Sequence, residues 1–65
     1  MENHLKALRT GRGWTQARLG QALGVSRQAV NALETERHDP SLELAYRIAA
    51  EFNRPLEEIF PNPHR

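Results

Sequence analysis

An all-α domain of five short helices is what this sequence predicts, and three observations carry the prediction. Apolar residues recur at three- and four-residue spacing from Leu5 to Phe60, and no stretch alternates as a half-buried strand does. The runs are punctuated by helix-starting and helix-stopping residues: Asn3, Thr15, Ser26 and Ser41 before them, Gly13, Gly24 and Asn53 after. The 65 residues include no cysteine, so neither disulfides nor thiolate zinc can staple a chain of one domain's size, and packing must hold it. A single domain over 1–65 is expected, with a helical core over about 3–60 and a fraying tail, "PNPHR", over 61–65.

Helix 1 lies in "NHLKALRTGRG", with Asn3 as N-cap, Leu5 and Leu8 inward, and Gly13 as the stop. Thr15 caps helix 2, "QARLGQAL", where Leu19, Ala22 and Leu23 share a face. A capping box would place Glu or Gln at position 18, yet Arg18 stands there against the helix dipole, either as neutral surface or as a phosphate contact. Gly24 ends helix 2 with a left-handed turn, Val25 is an apolar plug, and Ser26 caps helix 3, "RQAVNALE", with Val30 and Leu33 inward. Ser41 caps helix 4, whose buried stripe is Leu44, Ala45, Ile48, Ala49 and Phe52, and Asn53 stops it. "RPLEEIF" makes a short helix 5 with Leu56, Ile59 and Phe60 apolar.

The net charge is only +1, but it is unevenly spread. Up to Arg37 six basic residues face three acidic ones, a net +3, while from His38 onward three face five, a net −2. One half is suited to an anionic partner. No apolar run approaches a membrane span and the N-terminus lacks a signal-peptide core, so a cytoplasmic protein without membrane contact is expected. His4, His38 and His64 have no metal-ligand spacing, Glu57 and Glu58 point apart, and no Gly-rich phosphate loop exists. Neither an enzyme nor a metal or cofactor is expected.

Helices 2 and 3 are joined by only three or four residues containing a glycine, the spacing of a helix-turn-helix whose second helix lies in the DNA major groove. Gly20 is small where the two helices approach, and the protruding N-terminus of helix 3 offers unpaired N–H groups to phosphate. The stretch "LKALRTGRGWTQARLGQALGVSRQAVNALE", followed by "DPSLELAYRIAAEFNRPLEEIF", resembles the Xre, or Cro/CI, family of DNA-binding regulators with the lambda-repressor-like fold, over Leu5 to Phe60.

That resemblance implies a five-helix transcriptional regulator, a repressor by preference, associated with the nucleoid and binding double-stranded inverted-repeat operators as a homodimer. It places Gln16 where the family contacts a phosphate and buttresses the recognition helix, and Ser26, Arg27 and Gln28 where it touches DNA. Asn31 lies one turn further along the same face. Arg27, Gln28 and Asn31 are therefore the expected base readers, since arginine pairs with guanine and Gln or Asn with adenine. Ala32 can reach only a thymine methyl. Gln16, Arg18 and Ser26 are the expected phosphate contacts. Arg9 and Glu34 match a family ion pair between helix 1 and the end of helix 3, and Trp14 a large apolar core residue. Glu36 departs from the family's glycine after helix 3. It is strained if left-handed and its carboxylate repels a strand, so Arg37 and His38 are expected to supply the phosphate contact there.

Two rival readings stay open: an antitoxin-like regulator whose acidic C-terminal half binds a small protein partner, and a purely structural bundle. For a homodimer, Leu56 and Ile59 are expected to face the core, leaving Phe60, with Ile59 beside it, as the candidate two-fold contact. The alternative is that Phe60 closes the bottom of the core.

Overall fold

The computed structural model describes residues 1–64, leaving Arg65 of the expected tail outside the described residues. Five helices follow in order: α1 Leu5–Gly11, α2 Gln16–Leu23, α3 Arg27–Glu34, α4 Leu42–Phe52 and α5 Leu56–Ile59. The described residues form no strand.

Local chemistry sets most of these boundaries. Thr15 Oγ1 accepts from the N–H of Arg18, Ser26 Oγ from Ala29 and Ser41 Oγ from Leu44, each occupying one N–H of a helix's first turn. The four longer helices are each followed by a residue of positive φ: Gly13, Gly24, Glu36 and Asn53. After α3 the N–H of Glu36 bonds Leu33 O at 3.1 Å and that of Arg37 bonds Ala32 O at 2.9 Å, the paired bonds of a Schellman turn. Glu36 is thus left-handed, the strained case anticipated from the sequence.

Helix 1 starts differently from expectation. Its cap position is His4, which makes no side-chain bond to the helix. Asn3 sits one residue earlier, where its Oδ1 accepts from Leu5 N at 3.1 Å and its Nδ2 donates to Leu33 O at 2.8 Å. It fastens the start of α1 to the end of α3.

Leu5, Leu19, Val30, Ile48 and Ile59, one from each helix, are the largest fully buried side chains. Burying such a side chain contributes roughly 1.5–3 kcal/mol, so five supply a large share of a small domain's driving force. Leu23, Leu33, Ala45, Phe52 and Phe60 complete the core, with Leu8, Trp14, Val25, Leu44, Ala49 and Leu56 packed around it. Ile59 is fully buried and Phe60 is 6% exposed. Within the protomer their apolar surface is packed inside, the arrangement of the alternative in which Phe60 closes the bottom of the core. The exposed large apolar residues are Met1, Leu42 and Tyr46, the last two one turn apart on α4.

The turn between α2 and α3 is held on both sides. A Cβ at Gly20 would stand 2.6 Å from the carbonyl oxygen of Val25. The constraint therefore comes from the turn backbone rather than from a crossing helix. From α4, Arg47 Nη1 donates to Leu23 O at 3.3 Å while Nη2 holds Glu43 at 2.7 Å, so a cation sits against the carbonyl end of α2. These contacts fix the angle at which α3 leaves the body.

Candidate nucleic-acid interface

Val30 and Leu33 anchor α3 in the core, and the 3.6-residue period then turns Arg27 and Gln28 outward and leaves Asn31 half-buried at the edge. A shallow groove runs beside them, lined by Gln16, Arg27, Gln28, Asn31, Ala32 and Arg37. All three expected base readers thus meet one expected phosphate residue from α2 and one from the loop after α3. Arg27 and Arg37 enter none of the ion pairs among the described residues, so their charge is available to a ligand. By contrast, the acidic second half neutralises part of itself through Glu43–Arg47 and Glu58–Arg54.

Under the groove lies a buried polar cluster. Arg9 Nε reaches Glu34 Oε2 at 2.6 Å and Arg9 Nη2 reaches Oε1 at 3.0 Å, with side-chain exposures of 11% and 3%. The bidentate fork is the geometry in which arginine binds a carboxylate most strongly. The hydrogen bond to Glu34 holds the Arg9 pKa above its usual value, against the opposing effect of burial. Arg9 Nη1 also donates to Trp14 O at 2.8 Å, which ties α1, α3 and the approach to α2 together. Gln16 Nε2 adds a third bond to the carboxylate, 3.1 Å to Oε1, and Asn31 Nδ2 lies 3.5 Å from Gln16 Oε1.

Three other expected phosphate residues stand apart. Ser26 spends its hydroxyl on the cap of α3 while staying exposed at the mouth of the turn. His38 is exposed on the loop, its N–H on Ala32 O at 3.3 Å, outside the groove lining. Arg18 is two residues from Gln16, about 200° around the helix, so it points to the opposite flank of α2. Its guanidinium lies 4.3 Å from the centre of the Trp14 ring. Arg12 lies 4.7 Å from that ring and 4.4 Å from the ring of Phe52, and is bonded to Glu51 Oε2 and to the Glu51 carbonyl. Phe52, Arg12, Trp14 and Arg18 form one cation–aromatic stack. Sequence reasoning missed Arg12 because no spacing rule links residues 12, 14, 18 and 52.

A helix pair held by a short glycine turn, with the exposed start of its second helix unpaired beside a basic groove, defines a helix-turn-helix DNA-binding domain. The chain matches the model of the helix-turn-helix family over residues 5–59 and belongs to it, as an Xre, or Cro/CI-type, member. It is 47% identical over 60 residues to an uncharacterized HTH-type transcriptional regulator of Methanocaldococcus jannaschii, covering 92% of this chain and 91% of that protein. The HTH-type transcriptional regulator YgzD of Bacillus subtilis, also uncharacterized, is 42% identical with the same coverage. A crystal structure of a hypothetical transcription factor from Neisseria superposes with a TM-score of 0.80 at 24% identity, covering 94% of this chain and 68% of that one, a likeness of fold. The protein is a DNA-binding transcriptional regulator. No helix among the described residues is long and apolar enough to cross a membrane.

Proposed function

We propose that the protein is a cytoplasmic, nucleoid-associated repressor that reads an inverted-repeat operator as a homodimer, with α3 in the major groove. The observation that carries this reading is the groove itself, where Arg27, Gln28 and Asn31 stand together beside Gln16 and Arg37. Arg27, Gln28 and Asn31 address base edges, with arginine matched to guanine and the amides to adenine. Gln16, Ser26, Arg37 and His38 flank them and meet the sugar–phosphate backbone, helped by the unpaired N–H groups at the start of α3. Arg18, on the far flank of α2, adds to the long-range attraction rather than to the groove. Occupancy of the operator is enough to exclude other proteins from it.

Two copies need a surface to hold their recognition helices one duplex turn, about 34 Å, apart. With Phe60 buried, the large apolar residues that a helix leaves exposed for a second copy are Leu42 and Tyr46 on α4, 66% and 60% exposed. Protection mapping on the DNA upstream of the protein's own gene tests the proposal. The expected result is two protected half-sites about 10 base pairs apart. Absence of any duplex binding at low salt would refute it. Co-purification of a stoichiometric small protein in place of a second copy would favour the antitoxin-like role.

A further inference from the structure

Arg18 points away from the groove beside α3, and its surroundings are those of a carboxylate receptor. The guanidinium lies over the Trp14 ring, 4.3 Å from its centre, so one face is covered and the N–H groups at its edge stay free. Arg12 shows what that arrangement does in the same cluster. Its guanidinium rests over the rings of Trp14 and Phe52, and its edge donates to Glu51 Oε2 at 2.8 Å and to the Glu51 carbonyl at 2.6 Å. Arg18 lies over the same indole but enters none of the ion pairs among the described residues. A fork held on a ring has already given up much of its side-chain freedom, so an arriving carboxylate is bound at a lower entropic cost.

The surface beside Arg18 has room for more than one residue. Gln21 and Ala22 follow it by one turn on the same flank of α2. With Gly24 they form one wall of a shallow groove between α2 and α4, and Arg47, Ala50 and Glu51 form the other. Arg12 holds Glu51 and Glu43 holds Arg47, so the charges of the groove walls are answered within the protomer. The charge left over beside the groove is that of Arg18. Ala22, Gly24 and Ala50 leave a peptide backbone space to approach. The groove that contains Gln16 lies on the other flank of α2, so a duplex and a peptide meet different sides of this helix. We propose that the α2–α4 groove docks an acidic segment of a second protein, one of whose carboxylates pairs with the Arg18 fork while α3 holds DNA. The inference goes beyond the DNA-reading role proposed above, and it puts the partner on the basic flank of α2 rather than on the acidic second half of the chain.

Titration with a hexaglutamate peptide blocked at both ends, followed by nitrogen–proton correlation spectra, tests it. Arg27→Gln and Arg37→Gln are first combined, so that the peptide does not simply take the place of DNA beside α3. In that background the Trp14 indole N–H and the backbone N–H signals of Gln21 and Ala22 are expected to shift and saturate. Adding Arg18→Gln should weaken the peptide about tenfold, the loss of one charge-assisted fork. Arg18→Lys keeps the charge without the fork and should recover only part of the loss. Position 18 is exposed and its backbone N–H still meets Thr15 Oγ1 in both variants, so the fold is kept, and circular dichroism checks it. With wild type saturated by a duplex selected from a randomised pool, the peptide should shift the same signals. Equal affinity with and without the Arg18 guanidinium overturns the proposal, and so does free glutamate binding as tightly as the hexapeptide, which leaves the groove no part. Peptide shifts abolished by the duplex, with a shallower salt dependence of duplex binding in Arg18→Gln, also overturn it and assign Arg18 to a phosphate. A wild type that binds no duplex refutes the DNA-reading role, and the first titration still decides the docking surface.

Discussion

Removing Arg9 should damage the domain more than removing Glu34, and the structure sets the scale. Arg9→Ala takes two of the three donors from a carboxylate that is 3% exposed, leaving it Gln16 alone. Glu34→Ala strands a guanidinium that is 11% exposed and still bonded to Trp14 O. Breaking a buried pair from one side costs about 3–5 kcal/mol, so Arg9→Ala belongs near the upper figure and Glu34→Ala near the lower. At roughly 0.05–0.15 kcal/mol per residue, a 65-residue domain has only about 3–10 kcal/mol in total, so either loss is a large fraction of it. The double mutant buries no charge and should recover about 0.5–3 kcal/mol relative to the sum. Urea unfolding of all four proteins by circular dichroism, at one protein concentration near neutral pH, measures this. Because Arg9 titrates above its usual value, its contribution is complete below that value and fades only as pH rises through the still higher folded-state value. The gap between wild type and double mutant should therefore be flat from about pH 7 to about pH 10. Losses that add within about 0.5 kcal/mol would falsify the claim that the two residues work as a pair.

Three further outcomes are expected. Arg27→Ala and Gln28→Ala should fold normally and each lose about 1–3 kcal/mol of discrimination at one base pair per half-site, and unchanged competition profiles for both would mean that α3 is not the reading helix. Glu36→Gly removes a strained left-handed side chain worth about 1–2 kcal/mol and loosens the unfolded chain by about 0.4–1 kcal/mol, so a net gain of about 0.5–1 kcal/mol is expected in thermal unfolding. The same variant should bind duplex more tightly, since a carboxylate leaves the neighbourhood of Arg37, and weaker binding would contradict this. Tyr46→Glu should leave the circular dichroism spectrum intact and yield a monomer with poorer operator binding in light scattering and gel-shift assays, whereas a fully dimeric mutant would place the two-fold contact elsewhere.

Helix ends were readable from the sequence where one residue's chemistry decides them. Thr15, Ser26 and Ser41 cap through their own hydroxyls, and Gly13, Gly24 and Asn53 adopt the left-handed turn for which their types are suited. Asn3 was misplaced by one position because its side chain serves different masters, α1 and Met1 locally and α3 across thirty residues. Spacing alone did not decide Phe60: an apolar residue beside a buried neighbour reads the same whether it faces the core or a second copy, and only the packed fold distinguishes them. The groove residues were recognisable from the motif, and Arg9–Glu34 from the family likeness. The link from Glu34 through Gln16 to Asn31 was not, because it depends on which end of each amide faces which neighbour.

The stack that joins Phe52, Arg12, Trp14 and Arg18 makes the protein its own optical instrument. Trp14 is the chain's one tryptophan, and it lies between two guanidinium groups where α1, α2 and α4 converge. Tyr46, the one tyrosine, is far more exposed and can be separated by excitation wavelength. Emission from the indole, and its accessibility to a soluble quencher, therefore report whether the helix that presents Gln16 is seated on the body. That signal can be followed in the unlabelled chain during unfolding or upon mixing with duplex.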